Sequence, residues 1–122
     1  MTPNKAVQLQ VVHLETEEWG SCQTLNINLA KPVELIEPST LAELELPPEL
    51  DLNRAVILFG SAPNWLYAYL VRRCGDAPWI GCYDLRTRAA IVVKSTIDAP
   101  QVGDRIAVKF SQAPGTVIFA FI

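Results

Sequence analysis

The chain has 122 residues, half of them apolar, a net charge of −3 at neutral pH and three cysteines. That length and content suit one domain spanning residues 1–122, burying roughly 65–70% of its unfolded surface, and exclude a disordered chain. No apolar run reaches the ~18 residues of a membrane span and the N-terminus has no secretory apolar stretch. Cys22, Cys74 and Cys82 form no C-x-x-C and cannot all pair, so a reduced, cytoplasmic protein is expected.

From the N-terminus, residues 6–14 alternate in part, with Val7, Leu9 and Val11 separated by Gln8 and Gln10, as a half-buried strand does. Residues 24–29 alternate again, with Leu25, Ile27 and Leu29 around Asn26 and Asn28. The two predict a hairpin with a loop of about eight residues, longer than most. The lone histidine, His13, lies on the first strand and suggests packing or exposure rather than catalysis. Residues 41–46 predict a short helix, with Thr40 as N-cap and Glu43 as its capping-box partner, ended by Pro47 and Pro48.

The stretch from Arg54 to Lys94 organises the rest. A buried-strand run, Ala55-Val-Ile-Leu-Phe59, breaks at Gly60-Ser61-Ala62-Pro63. A helix is predicted over 63–74, its apolar face made by Trp65, Leu66, Tyr69, Leu70 and Cys74. Arg72 and Arg73 fall in its last turn, where the dipole favours cations, and Gly75 suits a left-handed residue past its end. Strands follow over 79–83 and 89–93, joined by a turn over 84–88. Strand, glycine turn, helix, strand is βαβ grammar, and predicts a Rossmann-like α/β domain with a mixed sheet, one main helix and a short second one. Beyond it, residues 105–110 alternate as a strand, and residues 116–122 read as an apolar strand that must be paired or covered, by a place inside the sheet or by the interface of a homodimer or higher homo-oligomer, and an oligomer is expected.

Charge divides unevenly. Residues 1–53 carry a net −7 and residues 54–122 a net +4, so the organising segment is the one suited to polyanions. No dinucleotide or triphosphate cradle is present. What Gly60, Ser61 and Asn64 offer is a turn and a helix N-terminus, a generic anion site. Asp84 and Arg86 stand two apart at a strand end; Arg86 can grip phosphate in a fork, and Asp84 can orient a ribose hydroxyl, ligate a metal or pair with arginine. Lys94 and Ser95, at the end of the following strand, would add a cation and a hydroxyl.

Taken together, Gly60, Pro63, Trp65-Leu66, Leu70, Pro78, Tyr83-Asp84, Arg86, Val92-Val93, Ser95 and Val102-Gly103-Asp104 resemble the CRISPR-associated ring nucleases of type III systems, the Csx-three family. The resemblance covers roughly residues 54–109. It implies an antiviral-defence protein that binds a cyclic oligoadenylate, an RNA second messenger, as cyclic tetra-adenylate, and cleaves it with manganese. It also implies dimers that pair around the ring. The family's cleavage histidines would fall near Arg72, Gly75 and Thr96, and none is histidine here. Ser61 replaces the family's arginine, and Leu85 stands where proline is usual. The expectation is therefore binding of the ring, with sequestration or slow metal-free turnover, Asp84 and Arg86 serving any catalysis, no metal ligands and no resident cofactor. Alternatives are an active phosphodiesterase and a domain that binds no nucleotide; neither membrane nor double-stranded DNA is expected as a partner.

Overall fold

The two alternating N-terminal segments do pair. In a computed structural model, which describes residues 6–109, β1 (Val7–Thr16) and β2 (Gly20–Leu29) form an antiparallel hairpin in which Gln8 faces Asn28 and Gln10 faces Asn26. Its loop is three residues, shorter than expected, because the Thr16 hydroxyl organises the turn. It accepts from the Trp19 N–H at 2.8 Å and donates to the Gly20 carbonyl at 2.9 Å, while Gly20 takes the left-handed φ of 70° that closes such loops.

Residues 30–55 then cross to a strand parallel to β2. The short α-helix expected over 41–46 is instead two 3-10 turns, Val33–Leu35 and Pro38–Glu43, and the second is preceded by Glu37 without a side-chain cap. Prolines at 38, 47 and 48 leave too few residues for a cooperative α-helix. The segment lies flat and lets Ile36 and Leu44 reach the core. Gln23 ties its far end to β2: its side-chain carbonyl accepts from the Asp51 N–H at 3.0 Å, and its amide donates to the Asp51 carbonyl.

The βαβ unit stands as read. β3 (Val56–Phe59), α1 (Asn64–Arg73) and β4 (Trp79–Asp84) place two parallel strands side by side, Leu58 beside Cys82. β5 (Ala89–Ser95) and β6 (Arg105–Lys109) follow antiparallel. The helix does not end on a left-handed glycine, since Gly75 has an ordinary φ. The Cys74 N–H reaches the Leu70 carbonyl at 2.9 Å, and that of Gly75 the Arg72 carbonyl at 3.1 Å.

The Rossmann-like α/β expectation is overturned. β6 returns to β1, Thr16 opposite Val108 and Glu15 opposite Lys109, closing the mixed sheet as a six-stranded barrel in the order β1-β2-β3-β4-β5-β6. The described residues are mostly β, with one α-helix. A closed sheet has no second outer face for helices to cover; its inner face is packed by the strands' own side chains. The β1–β6 pairing joins residues far apart in sequence, so local periodicity carries no sign of it.

Two cores result. Val56 and Leu58 of β3 point outward with Leu25, Ile27 and Ile80 against Leu66 and Leu70 of α1 and Cys74 just past its end. Ile57 points inward with Cys22, Trp79, Ala90, Val92 and Ile106, and Phe59 inward against Leu14. β3 is buried on both faces, which is why it reads as an unbroken apolar run. All three cysteines are free; burial pushes the Cys74 and Cys82 thiols up to about 11, so both stay protonated at neutral pH. No helix among the described residues is long and apolar enough to cross a membrane. The apolar stretch at 116–122 lies outside the described residues.

Candidate functional site

Parallel pairing of β2, β3 and β4 brings their carboxyl ends to one edge. Gly60 follows β3 at that edge with φ 136°, so close to β2 that a Cβ would stand 2.5 Å from the Ile27 carbonyl oxygen. Only glycine fits that backbone. Tyr67 of α1 donates its hydroxyl hydrogen to the Gly60 carbonyl and holds the turn against the helix. Ser61 and Asn64 are exposed, and Asn64 opens the helix.

Asp84 ends β4 beside this turn. Its Oδ1 accepts from the Arg86 backbone N–H at 3.1 Å and from Arg86 Nε at 3.3 Å, and its Oδ2 from the other guanidinium arm at 3.4 Å and from the Thr87 hydroxyl at 3.3 Å. The chain reverses through the Arg88 N–H bond to the Asp84 carbonyl at 2.8 Å, with Arg88 at φ 55°. The hydrogen bond from Arg86 is the main reason the Asp84 carboxyl lies below its ordinary range. Asp84 is thus a carboxylate at neutral pH that holds Arg86. The arginine side chain is 90% exposed, against 24% for that of Asp84, and keeps its remaining N–H donors toward solvent. A carboxylate bound this way cannot serve as a general acid near neutrality, but a pre-aimed guanidinium suits a phosphate.

Lys94 and Ser95 are elsewhere. β5 runs antiparallel to β4, so these residues pair with Ile80 and Trp79 at the opposite edge. The Lys94 ammonium donates to the Ala77 carbonyl at 2.9 Å and to that of Gly75, taking the place of a cap after α1; the Ser95 hydroxyl bonds the Pro100 carbonyl at 2.7 Å. The structure therefore does not bring them together with Asp84 and Arg86. Lys94→Met is expected to lower stability by about 1.5–3 kcal/mol, the range for hydrogen bonds to a charged group, while leaving ligand binding unchanged; thermal melting and a binding titration check both halves.

At that opposite edge a cleft of about 240 Å³ opens between Trp19, Ser21, Cys22, Arg54, Ala55 and Trp79. One Arg54 arm is already spent on the Ser21 carbonyl at 3.1 Å. The donors suited to an anionic ligand instead gather at the Gly60–Asp84 edge. His13 is exposed on β1. The described residues contain no group of three or more His, Cys, Asp or Glu that could hold a metal ion.

The described residues thus form a small mixed β-barrel with one covering α-helix, whose parallel strands end in a glycine turn, a helix N-terminus and an exposed arginine. Comparison with known families is specific. Residues 29–107 match the model of the CRISPR-associated protein family Cas_csx3, and the chain belongs to that family. An uncharacterized protein of Aquifex aeolicus (strain VF5) is 37% identical over 54 residues, covering 44% of this chain and 49% of that protein. The chain thus spans about half the length of this curated relative.

Two features escaped the sequence reading. Nothing in the pattern signalled that Tyr67 would clamp Gly60. The pairing of Gln10 with Asn26 was open to inspection, since both interrupt alternating runs, but their register needs the hairpin's loop length.

Proposed function

We propose that this protein is a cytoplasmic CRISPR-system component that binds a cyclic oligoadenylate, cyclic tetra-adenylate in the first instance, and sequesters it or degrades it slowly. The observation that carries the reading is the Asp84–Arg86 pair: a solvent-facing guanidinium held by a carboxylate at the carboxyl edge of parallel strands, in a chain of this CRISPR-associated family. Arg86 would grip a bridging phosphate with the N–H groups that Asp84 does not use. The N-terminus of α1 and the Ser61 hydroxyl would face a neighbouring phosphate. A two-fold homodimer would present two such edges to one ring.

Any turnover would proceed without metal. The ribose 2′-hydroxyl gives its proton to solvent and attacks the adjacent phosphorus, the bond to the 5′-oxygen breaks, and that oxygen takes a proton from solvent, leaving a 2′,3′-cyclic phosphate and a 5′-hydroxyl. Arg86 faces the charge that develops on the phosphoryl oxygens.

The test is incubation with labelled cyclic tetra-adenylate, with and without Mn²⁺, reading gel retention and product size. Retention with little or no Mn²⁺-dependent cleavage is expected, weakening as salt rises from about 50 to 200 mM because the contacts are to phosphates. Absence of retention at low salt overturns the reading. Strong Mn²⁺-dependent turnover that Asp84→Ala abolishes overturns the metal-free part.

The pH dependence follows from the lowered Asp84 value. A carboxyl whose folded value is depressed gives its stabilisation above its ordinary titration range and loses it as pH falls through the lowered value. Asp84 should therefore leave affinity flat between about pH 5 and 8, with its hold on Arg86 lost only in stronger acid. Affinity measured across that range checks this.

A further inference from the structure

On the face of the β1–β2 ribbon that continues the barrel interior, four carboxamides stand in two facing pairs: Gln8 opposite Asn28, and Gln10 opposite Asn26. Register extends the second pair into a row. Asn26 pairs with Phe59 on β3, Phe59 lies alongside Tyr83 on β4 with ring centroids 4.7 Å apart, and Tyr83 pairs with Ala90. The row lies at the carboxyl edge, one residue before Gly60 and Asp84. Gln8, Gln10 and Asn28 are exposed, and Asn26 is the last buried residue on its face of β2 before the strand meets solvent at Asn28.

Asn26 is 4% exposed, yet its Oδ1 has no hydrogen-bond partner among the described residues; Thr24, the next inward position, has an unpartnered hydroxyl as well. Gln23 on the same strand shows the alternative. Equally buried, it binds the Asp51 backbone through both its carbonyl and its amide. A buried acceptor without a partner destabilises a protein, and such local violations concentrate where a ligand completes the pairing. A carboxamide sets an acceptor beside a donor, which complements the amino group and neighbouring ring nitrogen of adenine; guanine and uracil put a carbonyl where that amino group would be.

We propose that the carboxamides of Gln10 and Asn26, flanked by Gln8 and Asn28, read the amino edge of an adenine base of the bound ring. This rests on the ring-binding reading above and adds base recognition to it: Arg86 takes phosphate, and the carboxamide row takes the base, with Tyr83 as the half-buried aromatic neighbour.

The experiment is calorimetric titration of the full chain with cyclic tetra-adenylate and with the same ring built from unsubstituted purine, which lacks the amino group. The wild type should prefer the adenylate ring by on the order of tenfold or more, the size of one good two-point base contact. Gln10→Ala and Asn26→Leu should bind both rings alike, at the weaker affinity. Without ligand, Asn26→Leu should melt no lower than wild type, because the buried carbonyl oxygen it removes is unpaired. Gln10 is exposed, so Gln10→Ala decides the matter if Asn26→Leu does not fold. Variants that keep the wild-type preference overturn the proposal, as does a wild type that binds both rings equally through Arg86; neither result touches the ring-binding reading. A wild type that binds neither ring overturns that reading and this proposal with it.

Discussion

Arg86→Ala is expected to weaken retention of cyclic tetra-adenylate by about 1.5–3 kcal/mol, the range for a hydrogen bond to a charged group. That corresponds to roughly tenfold to a hundredfold in affinity. The effect should fall at the upper end because Asp84 already holds the guanidinium through two contacts, so little side-chain freedom is lost on binding. The control is Arg105→Ala. Arg105 is exposed at the start of β6, beside Ile91 and away from the Gly60–Asp84 edge, and its removal should change affinity little. Equal losses from both variants would mean that the basic balance of residues 54–122, rather than the aimed arginine, carries binding. Asp84→Ala should fall between the two, since it frees Arg86 without deleting it. Calorimetric titration separates the three.

Gly60→Ala should be the most damaging single change to the fold, costing on the order of 3–5 kcal/mol. Two effects add. The φ of 136° is a conformation that L-residues with a Cβ rarely adopt, and the new methyl would stand 2.5 Å from the Ile27 carbonyl oxygen. That oxygen is backbone of the neighbouring parallel strand, so it cannot swing aside as a flexible side chain would. Relief would require pulling β3 away from β2, through a register that joins Gln23 to Val56 and Asn26 to Phe59. Gly20→Ala serves as the comparison: Gly20 also has a positive φ, but its Cβ would meet nothing within 4 Å, so only the conformational strain applies. Chemical denaturation of both variants should show the first far less stable than the second. Similar midpoints would mean that the close approach of β2 and β3 contributes nothing.

The local structure of the Gly60–Asp84 edge was largely legible before any coordinates. A strand of four buried residues, a glycine, a proline before a helix and an Asp-x-Arg turn are local signals, and each arises from interactions within a few residues of itself. Lys94 and Ser95 were not legible in the same way. Sequence proximity to Asp84 suggested one site, but an antiparallel return carries a strand's far end to the other edge of the sheet, where the carbonyls that follow α1 claim the ammonium. The hairpin loop was misjudged for a smaller reason. Thr16 reads as a polar loop residue, whereas its hydroxyl makes a three-residue turn possible.

Taken alone, the sequence determined the described strands, the main α-helix, the parallel β3–α1–β4 unit and the turn that joins Asp84 to Arg86, because period, glycine, proline and short-range hydrogen bonding act locally; it wrongly added a second short α-helix where prolines allow only 3-10 turns. Its match to the CRISPR-associated family was likewise carried by residues in order along the chain. Tertiary structure alone decided that the sheet closes, through Thr16 and Glu15 meeting Val108 and Lys109. Closure turns one face of every strand inward, and so creates the buried position where the Asn26 side-chain oxygen is left without a partner, across the strand pair from Gln10. The physical reason is that a strand's alternation says which residues share a face but not what that face meets. Only the pairing of distant strands settles whether it meets a helix, solvent or the opposite wall of a barrel.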